Sequence, residues 1–320
     1  MTQITANRCT PNQGLTTVMP LESTAVQRLL GYAAALAVVI IWSGYFLSLR
    51  QGALSPLGTL ELTFFRFAVP AFLLLPLALH RWRRLLAVNP IWLIGMAIGA
   101  GLPFFLISAV AMQTAPVAHG STLIPGTAPL FVTALAVLAF RQHLSVTRGI
   151  GLLAVVVGIG CLLLAAWVEP GRDLWLAQLM LLFAGLMWAL FTISLRQSGL
   201  GPMEAAAVVT LPSTLVLLLY MLFTGTGLQL DSLPTQEWLV QMAVQGLAVG
   251  LGAGFLYGFA VRTLGAETTS ALGSLTPVVA TLAALSFFQE SIEMSTLVGL
   301  SLVTLGVVCA SGLLNPKRRH

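Results

Sequence analysis

Ten apolar stretches, each about 20 to 24 residues long, follow one another between residues 29 and 314, punctuated by charges, proline and glycine. Crossing a hydrocarbon core about 30 Å thick takes about 20 residues of helix, which is the length that recurs. In lipid every backbone N–H and C=O must be satisfied within the protein, so stretches of this kind fold as helices. The expected spans are 29–49, 57–79, 90–112, 118–140 and 149–168, then 174–195, 203–224, 238–261, 268–288 and 295–314. Composition excludes the soluble alternative. Of 320 residues, 58% are hydrophobic and 8% charged, with a mean hydropathy of +0.94, far from a water-soluble domain. The fold class expected is an all-α polytopic membrane protein of ten transmembrane helices.

The net charge of +5 reports topology. Basic residues stand singly or in twos and threes between apolar runs, never interleaved with aromatics on one face, so no nucleic-acid partner is expected. If the N-terminus is cytoplasmic, the inside segments hold Arg8, Arg28, Arg81, Arg83, Arg84, Arg141, Arg148, Arg196, Arg262, Lys317, Arg318 and Arg319, and the outside ones only Arg50 and Arg172. That split orients the chain with both termini in the cytoplasm of an inner (plasma) membrane. Residues 1–28, polar and without a signal-peptide pattern, are expected to form a flexible cytoplasmic tail, and 315–320 a basic one. Cys9, Cys161 and Cys309 make an odd count, with the last two inside apolar runs, so no disulfide framework is implied.

The chain repeats itself. WSGYFLSLRQGALSP from Trp42 to Pro56 aligns with WALFTISLRQSGLGP from Trp188 to Pro202, at an offset of 146, with SLRQ identical in both. Pro129, Phe140, Gly151, Gly158 and Cys161 match Pro277, Phe288, Gly299, Gly306 and Cys309 at an offset of 148. Each copy holds five spans, an odd number, so the second (174–314) enters the membrane from the side opposite to the first (29–168), across a linker at 169–173. Such inverted repeats typify secondary transporters, because two equivalent halves can exchange conformations and open a central site to each face in turn.

Together these strings resemble the drug/metabolite transporter superfamily, specifically its ten-helix branch with two tandem EamA domains. The resemblance rests on IWSGYFLSLR, LSPLGTLELTFFRF, TAPLFVTALAVLAF with GIGLLAVVVGIG, and LTPVVATLAALSFFQE with VGLSLVTLGVV, in that order and duplicated. It implies export of amino acids, other metabolites or drugs, with nucleotide-sugar and sugar-phosphate carriers also in the superfamily. One departure stands out. Where the family often carries a Glu after the fourth helix this chain has Gln142, while Glu290 keeps the acid in the second copy.

Charges inside helices carry the strongest functional expectation, since a central Arg costs about 2.5 to 3.5 kcal/mol even on a lenient insertion scale. Arg66 is either a structural tether or a substrate or coupling residue. Glu61, nearer the outer end, is either a solvated helix-end charge or a proton carrier. Trp42 and Tyr45 on the first helix match Trp188 and Phe191 on the sixth, at i and i+3, and would offer stacking surfaces in a cavity or anchors at the interface. Tyr257, with Ser121 and Ser270 near the starts of the fourth and ninth helices, completes the candidate pathway. His119 there reads as a helix-end polar residue. Gly246, Gly250, Gly254 and Gly258 form a stripe that permits close helix packing.

No ATP-binding G-x-x-x-x-G-K-[ST] run occurs, and the four histidines are scattered without an H-E-x-x-H pattern, so no cofactor, metal or catalytic set is expected. The expectation is a secondary exporter of small molecules, embedded in lipid and sufficient as a monomer, with a dimer left open. The alternative class is a membrane-embedded enzyme acting on a lipid or lipid-linked substrate.

Overall fold

The structure is a computed structural model and describes residues 24–140, 144–168, 174–230 and 234–311. The tail up to residue 23, Gln142, the linker 169–173 and residues 312–320 lie outside the described residues. Ten long helical spans follow one another: α1 (Ala25–Leu54), α2 (Thr59–Leu86), α3 (Pro90–Thr114), α4 (Val117–Phe140), α5 (Val146–Val168), α6 (Leu174–Ser198), α7 (Pro202–Thr224), α8 (Thr235–Leu264), α9 (Ala266–Phe287) and α10 (Met294–Ser311). Nine of them, among the described residues, are long and apolar enough to cross a bilayer. The other, α4, has 24 residues and is diluted by Pro125, Pro129 and several buried hydroxyls.

Local sequence sets the ends. Thr24 accepts a hydrogen bond from the Gln27 amide and receives the Gln27 side chain in return, a capping box that starts α1. Asn89 caps α3 ahead of Pro90, whose missing N–H costs nothing in a first turn. Three spans expected to be regular are interrupted. In α3 the helix breaks at Gly101, two residues before Pro103, and the Leu102 amide donates to Ser213 Oγ on α7 at 3.0 Å. In α9 a turn at Ser274 and Leu275 precedes Pro277. In α8, residues Met242–Gly252 form a π-helix, an element that is rare and frequent at functional sites.

Successive spans alternate in direction, so Arg28, Arg81, Arg83, Arg84, Arg148, Arg196 and Arg262 all lie on the side where α1 begins, the near side, and Arg50 lies on the far side. The most extensive packing crosses between repeats: α5 on α10, α2 on α7, α1 on α8 with α6 on α3, and α4 on α6 with α9 on α1. Exchanging the repeats maps this set onto itself. The two-fold is sharpest between α5 and α10. A Cβ on Gly151 would sit 2.6 Å from the Gly306 carbonyl oxygen, and one on Gly306 2.6 Å from that of Gly151. Gly158 and Gly299 stand in the same mutual relation at 2.8 Å. Since Gly151 corresponds to Gly299 and Gly158 to Gly306, each contact is the other's image, and the inverted repeat is built into the backbone.

The apolar part of the core sets Phe67 and Phe105 edge to face at 5.6 Å and fully encloses Met96 and Met112. Phe72, Leu138, Phe223 and Phe287 point outward, as a surface solvated by lipid allows. The glycine stripe on α8 serves packing: at Gly246 the α2 backbone at Phe65 approaches, at Gly250 the ring of Pro70, and at Gly258 that of Pro202.

Candidate functional site

A cavity of about 270 Å³ occupies the near-side half of the seam between the repeats. The first repeat contributes Trp42 from α1, Pro125 and Pro129 from α4 and Arg148 from α5; the second contributes Trp188, Tyr257, Ser270, Pro277 and Val303 among others. It runs from mid-depth to Arg148, at the near-side end of α5. Trp42 and Tyr257 meet with ring centres 5.4 Å apart, and Trp188 lies 5.1 Å from Phe191 and 5.5 Å from Phe104. The walls are therefore aromatic surfaces with few polar groups, the usual make-up of a small-molecule site.

Arg148 is a cavity residue that no sequence pattern separates from the other near-side cations. Its Nη2 donates to Thr133 Oγ1 at 2.7 Å, its Nε is buried with no hydrogen-bond partner, and Arg196 is near enough to act on it electrostatically. Among the described lining residues it is the only charged one.

Of the candidates named from the sequence, Trp42, Trp188, Tyr257 and Ser270 line this cavity. Phe191 backs Trp188, and Ser121 is buried with its hydroxyl donating to the Val117 carbonyl within α4. Tyr45 and Arg66 lie beyond the cavity toward the far side, in a buried polar cluster. The Tyr45 hydroxyl is buried beside Ser108 and interacts electrostatically with Arg66. Arg66 is 9% exposed, its guanidinium 5.5 Å from the Phe67 ring, and no carboxylate pairs with it among the described residues. On the facing π-helical stretch, Gln245 Nε2 donates to Ser48 Oγ at 2.9 Å, Ser48 donates to Gln241 Oε1, and Gln245 Oε1 is left unpartnered.

Glu61 is buried, not solvated. It occupies the third position of α2 after the N-cap Gly58, where the helix dipole favours an anion, and its Oε1 accepts from the Gln229 amide at 3.0 Å. Glu204 sits at the same position of α7 after Gly201, accepting that glycine's amide at 2.9 Å and facing Arg81 and Arg84, each at 3.4 Å. The matching Gly-x-x-Glu strings, offset by 143 residues, were the signal for this shared role.

An ion pair bridges the far side of the seam. Arg50 Nε lies 2.9 Å from Glu290 Oε1, Arg50 Nη1 donates to the carbonyls of Met112 and Gln113, and Glu290 Oε2 accepts from the Val117 amide at 3.0 Å. One carboxylate of the second repeat thereby ties three helix ends of the first. His119, expected as a helix-end polar residue, is buried behind this lock, with its ring nitrogens 3.1 Å from Gln178 Nε2 and 3.3 Å from Thr296 Oγ1. No group of three His, Cys, Asp or Glu is placed to hold a metal among the described residues.

Residues 29–164 and 175–312 each match the EamA-like transporter family. No curated protein matches the sequence. Among solved structures, a crystal structure described only as that of a protein is similar over 92% of this chain and 99% of that one, with 18% identity and a TM-score of 0.58, which shows the fold. Two tandem family matches, covering nearly all the described helices and coinciding with the two halves related by the glycine two-fold, mean that the chain belongs to the EamA-like transporter family of the drug/metabolite transporter superfamily.

Proposed function

We propose that this chain is a secondary exporter of small metabolites, amino acids or related compounds or drugs among them, working by alternating access at the seam between its repeats. The observation that carries this reading is the pairing of a cavity on the near side, lined by both repeats, with a polar lock on the far side that also spans both. Because the halves are inverted copies, the same helices rearranged with their roles exchanged would close the near side and open the far one. The π-helical α8 and the broken α3 and α9 are the segments suited to bending in that exchange.

The near side is the cytoplasmic one by the positive-inside rule, which puts the cavity in contact with cytoplasmic solutes. Both halves reside in one chain, so one copy suffices for a pathway. The test is solute flux by purified protein in liposomes, paired with comparison of metabolites secreted by cells with and without it. Gradient-driven flux together with a secreted compound that disappears on deletion supports the reading. Turnover of a lipid without flux of any solute overturns it.

A further inference from the structure

Two cations stand along the pathway with no carboxylate to balance them among the described residues. Arg148 enters the near-side cavity with one of its five guanidinium hydrogens used, by Thr133, and its Nε buried and unpaired. Arg196 adds positive potential beside it, and no acidic side chain lines the cavity among the described residues. Toward the far side, Arg66 is buried with its guanidinium 5.5 Å from the Phe67 ring, Tyr45 near enough to act on it electrostatically and its Nη1 packed at Gly250 of α8, and no carboxylate pairs with it among the described residues. An Arg at that depth without a partner is costly, and intramembrane cations without partners mark ligand pathways. The remaining walls of the cavity are aromatic and apolar, with hydroxyls at Thr192, Ser270, Ser274 and Thr304.

We propose that the cavity takes an organic anion with an apolar body, its acid group held by Arg148 and its body laid against Trp42, Tyr257 and Trp188, and that Arg66 is the next anchor for the same acid group. This rests on the transport reading above and narrows it. A guanidinium presents two parallel N–H donors that match a carboxylate, which a neutral group cannot exploit to the same degree. An ammonium finds no carboxylate here. The acceptors built into the wall are neutral: the hydroxyls of Thr192, Ser270, Ser274 and Thr304, and the backbone that Pro125 and Pro129 free one turn earlier on α4. The site therefore favours a monoanion over a zwitterion and disfavours a cation. Arg66 lies beyond Trp42 and Tyr45, on the side that must open next, so the acid group passes from one guanidinium to the other as the lock at Glu290 releases.

The experiment uses the full chain, purified in detergent, and three probes with one body: 3-phenylpropanoate, its amide and 3-phenylpropylamine. Equilibrium binding of the acid about tenfold or more tighter than either congener is expected. Arg148→Gln should weaken binding of the acid far more than that of the amide and so erase the preference, with thermal unfolding in detergent showing that the variant is folded; Arg148→Lys should keep part of it. Arg66→Gln should leave binding of the acid in the near-side cavity intact and slow its counterflow in liposomes. Equal binding of the three, stronger binding of the amine, no binding of any, or a preference that survives Arg148→Gln overturns the inference. None of these touches the transport reading, which the flux measurement can still support with a cationic or neutral solute. Acid-selective binding without any flux would sustain the site and sink the transport reading.

Discussion

Arg50 and Arg196 occupy the same place in the two repeats, inside the shared SLRQ string, yet their surroundings differ. Arg50 is mostly buried, paired with Glu290 and bonded to two carbonyls at the end of α3. Arg196 is exposed, sits beside another cation, and no carboxylate reaches it among the described residues. The residue that would match Glu290 on the near side is Gln142. The same helix scaffold thus carries a charged lock at one end and a neutral residue at the other. Under the alternating-access reading proposed above, inverted repeats make two conformations equivalent in architecture, and the side chains at the two ends would decide which one lies lower in energy.

Breaking the lock should have the largest effect. Glu290→Gln leaves Arg50 partly buried without its counter-ion, a loss of about 3 kcal/mol or more for a buried pair. That favours far-side opening. With Cys9, Cys161 and Cys309 replaced by Ala, a cysteine at Thr281, beside Glu290 in a small far-side crevice, should react with a membrane-impermeant maleimide at least about tenfold faster when Glu290→Gln is added. An unchanged labelling rate would mean that the pair does not hold the far side shut.

The glycine two-fold sharpens the comparison because it predicts equality where the charges predict difference. At Gly151, Gly158, Gly299 and Gly306 an added Cβ would come within 2.9 Å of partner backbone oxygen, which cannot move aside as a side chain can. Each Gly→Ala change should destabilise by about 1 to 3 kcal/mol, with Gly151 matching Gly299 and Gly158 matching Gly306. Gly160→Ala, which meets open space, should be close to neutral. Thermal unfolding in detergent reads all five. Unequal loss within a matched pair would show that the two-fold governs backbone geometry without governing stability.

The fold was legible because its signals are one-dimensional: span length, charge alternation and repeat offsets survive without tertiary information. The candidate site was legible only in part. Trp42 and Trp188 were marked by recurrence in the repeat, and both line the cavity; Phe191, marked by the same rule, lies one shell behind. Arg148 was hidden among near-side cations that the positive-inside rule already accounts for, and only its inward direction sets it apart. The Arg50–Glu290 contact joins residues 240 apart, a separation at which local pattern says nothing. The π-helix in α8 escaped because its glycines read equally well as a packing stripe.

Glu61 and Glu204 make a second matched pair, with the smaller effect of a helix-start charge. Glu61→Gln keeps the shape and one acceptor for the Gln229 amide but removes the charge from the start of α2, worth about 0.3 to 1 kcal/mol. A small thermal shift is expected, with flux and its dependence on an imposed proton gradient the same as in the unaltered chain. Loss of the gradient response at unchanged stability would move Glu61 from anchoring into coupling.

Gln142→Glu tests the comparison at its other end and should have the smallest effect. It restores to the near side the acid that the second repeat has at Glu290, within the same sequence relation to Arg196 that Glu290 has to Arg50. Arg196 is exposed, so a new pair there is screened by water and worth about 0.2 to 1 kcal/mol, far less than the lock it imitates. A shift of that size changes the ratio of the two conformations by about 1.4-fold to fivefold. The cysteine at Thr281 should therefore label modestly faster in Gln142→Glu, and the gain should fade at high salt, whereas the gain from Glu290→Gln should not. Combining the two substitutions exchanges the charge between the ends. If the side chains at the seam set the resting state, the double variant should rest with its far side open; if it still rests with the near side open, the preference lies in the helices themselves.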